Sequence, residues 1–132
     1  MAVLINLTAE VAKLETLQGL TPQTTFAEGV GFAPLAPYRD STIFAIKSSG
    51  KTAWERHPDG EEFVKILQGT AIFDIVMDDG SQQSFEVCAG MIAIVPKGVW
   101  HRARFSQGMT LISVTPTHTD FVRLDVDDPR TA

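Results

Sequence analysis

From Thr24 onward the chain breaks into short apolar runs separated by turn formers. "GVGFAPLAP", "SSG", "HPDG", "LQG", "DDG", "CAG", "PKG" and "SQG" recur at intervals of roughly ten residues. This rhythm predicts an antiparallel all-β sandwich or barrel. Its strands are expected near 41–47, 51–57, 62–67, 70–77, 83–88, 91–95, 99–105 and 109–116. The "MDDG" turn between "AIFDIVM" and "SQQSFEV" predicts a hairpin, because Asp-Gly tolerates the positive φ of a tight connection.

Ahead of the strands, "NLTAEVAKLETLQG" carries Leu7, Val11, Leu14 and Leu17 at helical spacing, with Thr8 as the expected N-cap and Gly19 as the stop. An amphipathic helix of about three turns follows from that spacing. The closing "TDFVRLDVDDPRTA" is acidic and rich in turn formers, which predicts a loosely held tail. The expected division is therefore helix and lead-in over 1–23, barrel over 24–118 and tail over 119–132.

Composition, charge and cysteine content sharpen this. A chain of 132 residues with 44% hydrophobic and 20% charged residues has the size and apolar content of one domain with one core. The formal charge of −5, with basic residues scattered and no basic run, argues against a nucleic-acid or anionic-membrane partner. No apolar run approaches the roughly 18 to 20 residues that cross a bilayer. Cys88 is the only cysteine and has no internal disulfide partner, and the N-terminus lacks a secretory pattern, so the expected location is cytoplasmic.

The chemistry concentrates in "WERHPDGEEF", residues 54–63. Side chains two apart on a strand share a face, so Glu55 and His57 point together while Arg56 points away. The turn Pro58-Asp59-Gly60 reverses the chain and returns Glu62 toward them. Glu61 is the rival to Glu62, since alternation turns only one of them inward.

Downstream, "GMIAIVPKGVWH" places Gly90, Pro96, Gly98 and His101 at the spacing of the second cupin motif. The first cupin motif is matched by His57 at its second histidine, Glu62 at its glutamate and Gly69 at its closing glycine, whereas Glu55 stands where the first histidine would be. Only Glu62 keeps six residues before Gly69. Phe105 occupies the family's trailing asparagine position. The two motifs cover about residues 50–105, and "TAWERHPDGEEF" with "VPKGVWHRA" resembles small single-domain bacterial cupins.

The resemblance implies a double-stranded β-helix, a jelly-roll barrel with one N-terminal α-helix, whose inward face carries one divalent metal ion. The implied ligands are Glu55, His57, Glu62 and His101, two imidazoles and two carboxylates in place of the common three-histidine, one-glutamate set. Such donors suit iron(II), manganese, nickel or zinc. Glu55 as a solvated residue at the barrel mouth, and a metal-free barrel with an organic ligand, remain open alternatives.

Residues alternating inward with the ligands, Ala53, Val64, Ile66, Ala103 and Phe105, are expected to line an apolar pocket. Trp54 and Trp100 are expected to face outward into packing or a subunit interface, and apolar residues on both strand faces point to a homodimer. His118 is expected at the surface. The implied activity is that of a metal-dependent dioxygenase, isomerase or lyase acting on a small organic molecule; the alternative is a non-catalytic ligand sensor or binding module.

Overall fold

The strand rhythm folds into a single 11-stranded sheet that wraps over itself as a nearly closed barrel. The computed structural model describes residues 2–25 and 27–132. Helix α1 spans Leu7–Lys13, and the strands are β1 Leu17–Leu20, β2 Ala27–Glu28, β3 Gly31–Tyr38, β4 Ser41–Lys51, β5 Trp54–Arg56, β6 Glu62–Gln68, β7 Thr70–Val76, β8 Gln82–Cys88, β9 Ile92–Val95, β10 His101–Pro116 and β11 Asp120–Val122. A 3-10 turn at Pro129–Thr131 ends the chain.

Strand β10 serves both walls. Its first half pairs with β7 and β5 and its second half with β6, while β4 runs beside it from Arg104 to Pro116 with a register shift between Phe105 and Met109. The two runs expected at 99–105 and 109–116 are therefore one strand. The β7–β8 hairpin forms at the "DDG" turn, with Val76 opposite Gln82. At Gly69, φ is +83° and a Cβ would lie 2.7 Å from the Gly108 carbonyl oxygen. Only glycine fits that close approach of the β6–β7 turn to β10.

Alternation decides the core. Val64, Ile66, Ala71, Phe73, Ala103, Phe105 and Leu111 point inward and pack with Leu20, Val87 and Met109. Each large apolar side chain so buried contributes about 1.5–3 kcal/mol.

Three expectations are corrected. The helix is seven residues long and capped by Asn6, whose side chain accepts from the Ala9 amide, while Leu17 and Gly19 belong to β1. Leu14 and Leu17 match a helical stripe, but Leu14 is the C-cap that ends the helix and Leu17 pairs in parallel with β4, and α1 buries none of its own residues. Strand β3 escaped detection because Pro34 and Pro37 interrupt its pattern. They are tolerated because β2 pairs with β3 only at Gly31 and Phe32, leaving the proline stretch on an open edge.

The acidic C-terminal stretch is pinned rather than loose. Trp54 Nε1 donates to the Val126 carbonyl (2.8 Å), Arg102 donates to the same oxygen (3.1 Å), and Lys51 pairs with Asp125 (2.6 Å). Trp54 is consequently only 1% exposed, covered by the chain's own terminus and by the Arg102 guanidinium 4.4 Å above its ring.

On the outer wall, buried Asp74 accepts from Ser84, Arg102 and Arg104 at 2.7–3.0 Å. Burial alone would raise this carboxyl. The two guanidiniums and the Ser84 hydroxyl outweigh burial and hold it down at about 2. No helix among the described residues is long and apolar enough to cross a membrane.

Candidate metal centre

Four side chains converge inside the barrel because sheet register aligns their strands. His101 opens β10 directly opposite Glu55 of β5, and Glu62 opens β6. His57 follows β5, where its carbonyl accepts from the Gly98 amide at 2.9 Å, so the Pro96-Lys97-Gly98 turn locks the two motifs together. Glu55, His57, Glu62 and His101 each offer a ligand atom within 4.8 Å of the others. Glu61 is exposed, so alternation turns Glu62 inward and Glu61 out.

The distances are those of a cluster. His101 Nε2 lies 3.1 Å from Glu62 and 3.3 Å from Glu55; His57 Nε2 lies 3.4 Å from Glu62 and 3.5 Å from Glu55. Outer partners orient His101, His57 and Glu62. His101 Nδ1 donates to the Val99 carbonyl (3.0 Å), which leaves Nε2 as the atom facing the carboxylates. His57 Nδ1 meets Thr119 Oγ1 at 2.9 Å, and Thr115 donates to Glu62 Oε2 at 2.6 Å. Thr115 and Thr119 carried no motif signal; their role follows from strand pairing alone.

His57 Nε2 is buried and has no aligned hydrogen-bond partner among the described residues. A buried polar atom left so, facing two carboxylates beside a second imidazole nitrogen, is the donor arrangement that a divalent cation satisfies. The residues present fit such an ion.

Without a cation, protons must balance the cluster. Burial opposes charge on both imidazoles, but the two facing carboxylates prevail, pushing His57 up to about 9 and His101 up to about 10. Burial would likewise raise the acids, yet the imidazoles hold Glu55 and Glu62 below the usual carboxylate range. Glu55 is 27% exposed, and of the four only it reaches the solvent side appreciably.

Beside the cluster lies a cavity of about 460 Å³. Ala53, Val64, Ala103 and Phe105 line it as expected from alternation, together with Glu55, Glu62 and His101. Ile66 is not on its wall: it is wholly buried in the core behind it, one step deeper along β6 than Val64. Phe121, Arg123 and a set of threonines complete the rim, none of them marked by the motifs. His118 is exposed, between Asp59 and Asp120.

A family model described as a cupin domain matches residues 42–115. A cupin-2 domain containing protein from Shewanella frigidimarina superposes with a TM-score of 0.64 at 20% identity, over 85% of this chain and 93% of that one. A protein of Neisseria meningitidis gives 0.62 at 22% identity, over 87% and 100%. Hydroquinone 1,2-dioxygenase in complex with Cd2+ and 4-hydroxybenzonitrile gives 0.59 at 12% identity, over 74% and 69%. An uncharacterized protein of Acanthamoeba polyphaga mimivirus is 22% identical over 89 residues, 67% of this chain, and the chain spans about half (48%) of its length.

Proposed function

The chain belongs to the cupin domain family, and from that premise we propose that it binds one divalent metal ion through Glu55, His57, Glu62 and His101 and acts there on a small organic molecule. The observation that carries this reading is the convergence of the four ligand atoms, with His57 Nε2 buried and unpartnered among them. A similar barrel, hydroquinone 1,2-dioxygenase, was solved with Cd2+, which is in keeping with it. The donor set suits iron(II), manganese, nickel or zinc.

Bound there, the ion would supply Lewis-acid or redox chemistry at open coordination positions. The chain's own residues set its character. Glu55 and Glu62 balance a divalent charge, so the site attracts anions less strongly than a single-carboxylate set would. Thr119 and the Val99 carbonyl hold the two imidazoles in orientation, and Thr115 holds Glu62. Glu55, at the solvent side, is the group best placed to accept a proton from a ligand. Apolar side chains make up much of the rest of the cavity wall. Dioxygenase, isomerase or lyase chemistry fits such a site.

A non-catalytic binding module is the second reading. It is favoured by the cavity wall itself, which outside the cluster carries no lysine, tyrosine or cysteine among the described residues. Elemental analysis of the purified, reconstituted protein tests the metal: about one equivalent per chain is expected, and less than a tenth would overturn it. Turnover of small oxygenated organic compounds, lost in His101→Ala, separates enzyme from binder.

A further inference from the structure

Outside the cluster, the cavity wall carries one cationic side chain among the described residues, Arg123. Its guanidinium carbon stands 4.3 Å from the centroid of the Phe121 ring, and Phe121, 47% exposed, lies at the cavity's rim. Phe121 is the cross-strand partner of Glu55, so Arg123 is two residues beyond the level of the metal-ligand cluster. The backbone there is fixed from two sides, by β11 pairing with β5 and by Gln23 donating to the Arg123 carbonyl at 2.7 Å.

Three of the neighbouring acids are already engaged. Asp120 pairs with Arg56 (2.9 Å), Asp125 with Lys51 (2.6 Å) and Asp128 with Arg130 (2.8 Å). Arg123 has no carboxylate partner among the described residues, although it sits in the most acidic stretch of the chain. A guanidinium stacked on an aromatic ring keeps its in-plane donors directed outward and free for a planar, two-oxygen anion.

The rest of the lining is of different chemistry. Phe32, Phe44, Phe73, Phe105, Met109 and Leu111 present hydrocarbon, and apart from the cluster the polar groups are mainly threonine hydroxyls. A charge-balanced metal centre gives an anion little attraction. An anionic group gains most at Arg123.

We propose that the cavity takes an amphipathic monoanion, a carboxylate on an aryl or short hydrocarbon body, with its carboxylate on Arg123 and its body against the phenylalanine wall. This rests on the reading of the cavity as the ligand site, and it assigns Arg123 as the specificity-determining residue. The 460 Å³ cavity accommodates a body of about ten non-hydrogen atoms.

The test is calorimetric titration of the full chain, reconstituted with zinc, with 3-phenylpropionate and with its neutral isostere 3-phenylpropionamide at low salt. The carboxylate should bind about tenfold more tightly than the amide. Arg123→Gln should bring the two to equal affinity, and Arg123→Lys should retain part of the preference, which also controls for a variant that fails to fold. Equal affinity in the native protein, a preference that survives Arg123→Gln, or no binding of either probe would overturn the assignment. Metal content measured on the same samples reports separately on the centre: protein that holds metal without the preference refutes only the role of Arg123, and protein that keeps the preference without metal refutes only the metal reading.

Discussion

His57 Nδ1 and Thr119 Oγ1 lie 2.9 Å apart although 62 residues separate them in the chain. The contact exists because β11 pairs with β5, bringing the segment just before β11 alongside the histidine that follows β5. It gives His57 a fixed ring orientation. Thr119→Val should weaken metal binding by about tenfold without abolishing it, whereas His57→Ala or His101→Ala should abolish retention. Competition against a chelator of known affinity measures both.

Glu55 stands in a position where cupins commonly carry histidine, and it is the most exposed of the four groups. Glu55→Ala should weaken metal binding less than loss of either histidine. Glu55→His restores the common donor set and should tighten binding by about tenfold for zinc or nickel. Loss of metal in Glu55→His would show that the side chain does not point at the ion.

Proton release reads the same cluster independently. In the metal-free protein His57 and His101 titrate at about 9 and about 10, so both are protonated at pH 7, and each must lose its proton to ligate. Metal binding at pH 7 should therefore expel about two protons per ion, and affinity should rise with pH until those values are reached. Calorimetry in buffers of different ionisation enthalpy gives the count; release of less than half a proton would contradict it.

Asp74 provides a stability handle away from the centre. Its folded-state value of about 2 lies below the ordinary 3.8, so its contribution is present above about pH 4 and is lost as pH falls through 2. Asp74→Asn should cost about 2 kcal/mol at pH 7, and the gap between native and variant should close on acidification. Denaturant unfolding at pH 7 and pH 3 measures it.

The outer face of β6 and β9 carries Phe63 opposite Ile94, with Ile92 and Ile94 each about half exposed. A second copy covering this row would form a homodimer with at least about 1,000 Å² buried in total. Light scattering at micromolar concentration should return the dimer mass, and Ile94→Asp should return the monomer mass.

The barrel was legible in the sequence because period-two alternation and turn residues are local properties, and the resemblance to the cupin motifs singled out Glu55, His57, Glu62 and His101. The motif spacing recorded how far apart the ligands must be along strands. What was illegible depends on partners far along the chain. Pro34 and Pro37 read as strand breakers until β3 is seen to run along an open edge, and Leu17 read as helical until β4 is seen to claim it. The C-terminal stretch read as loose because nothing in its acidic composition foretells that Trp54, Arg102 and Lys51 will hold it. Ile66 had the right parity for the cavity but the wrong depth. Parity is set by the pleat of one strand, whereas depth, register and the meeting of Thr119 with His57 are set by how distant strands pair, which only the tertiary structure decides.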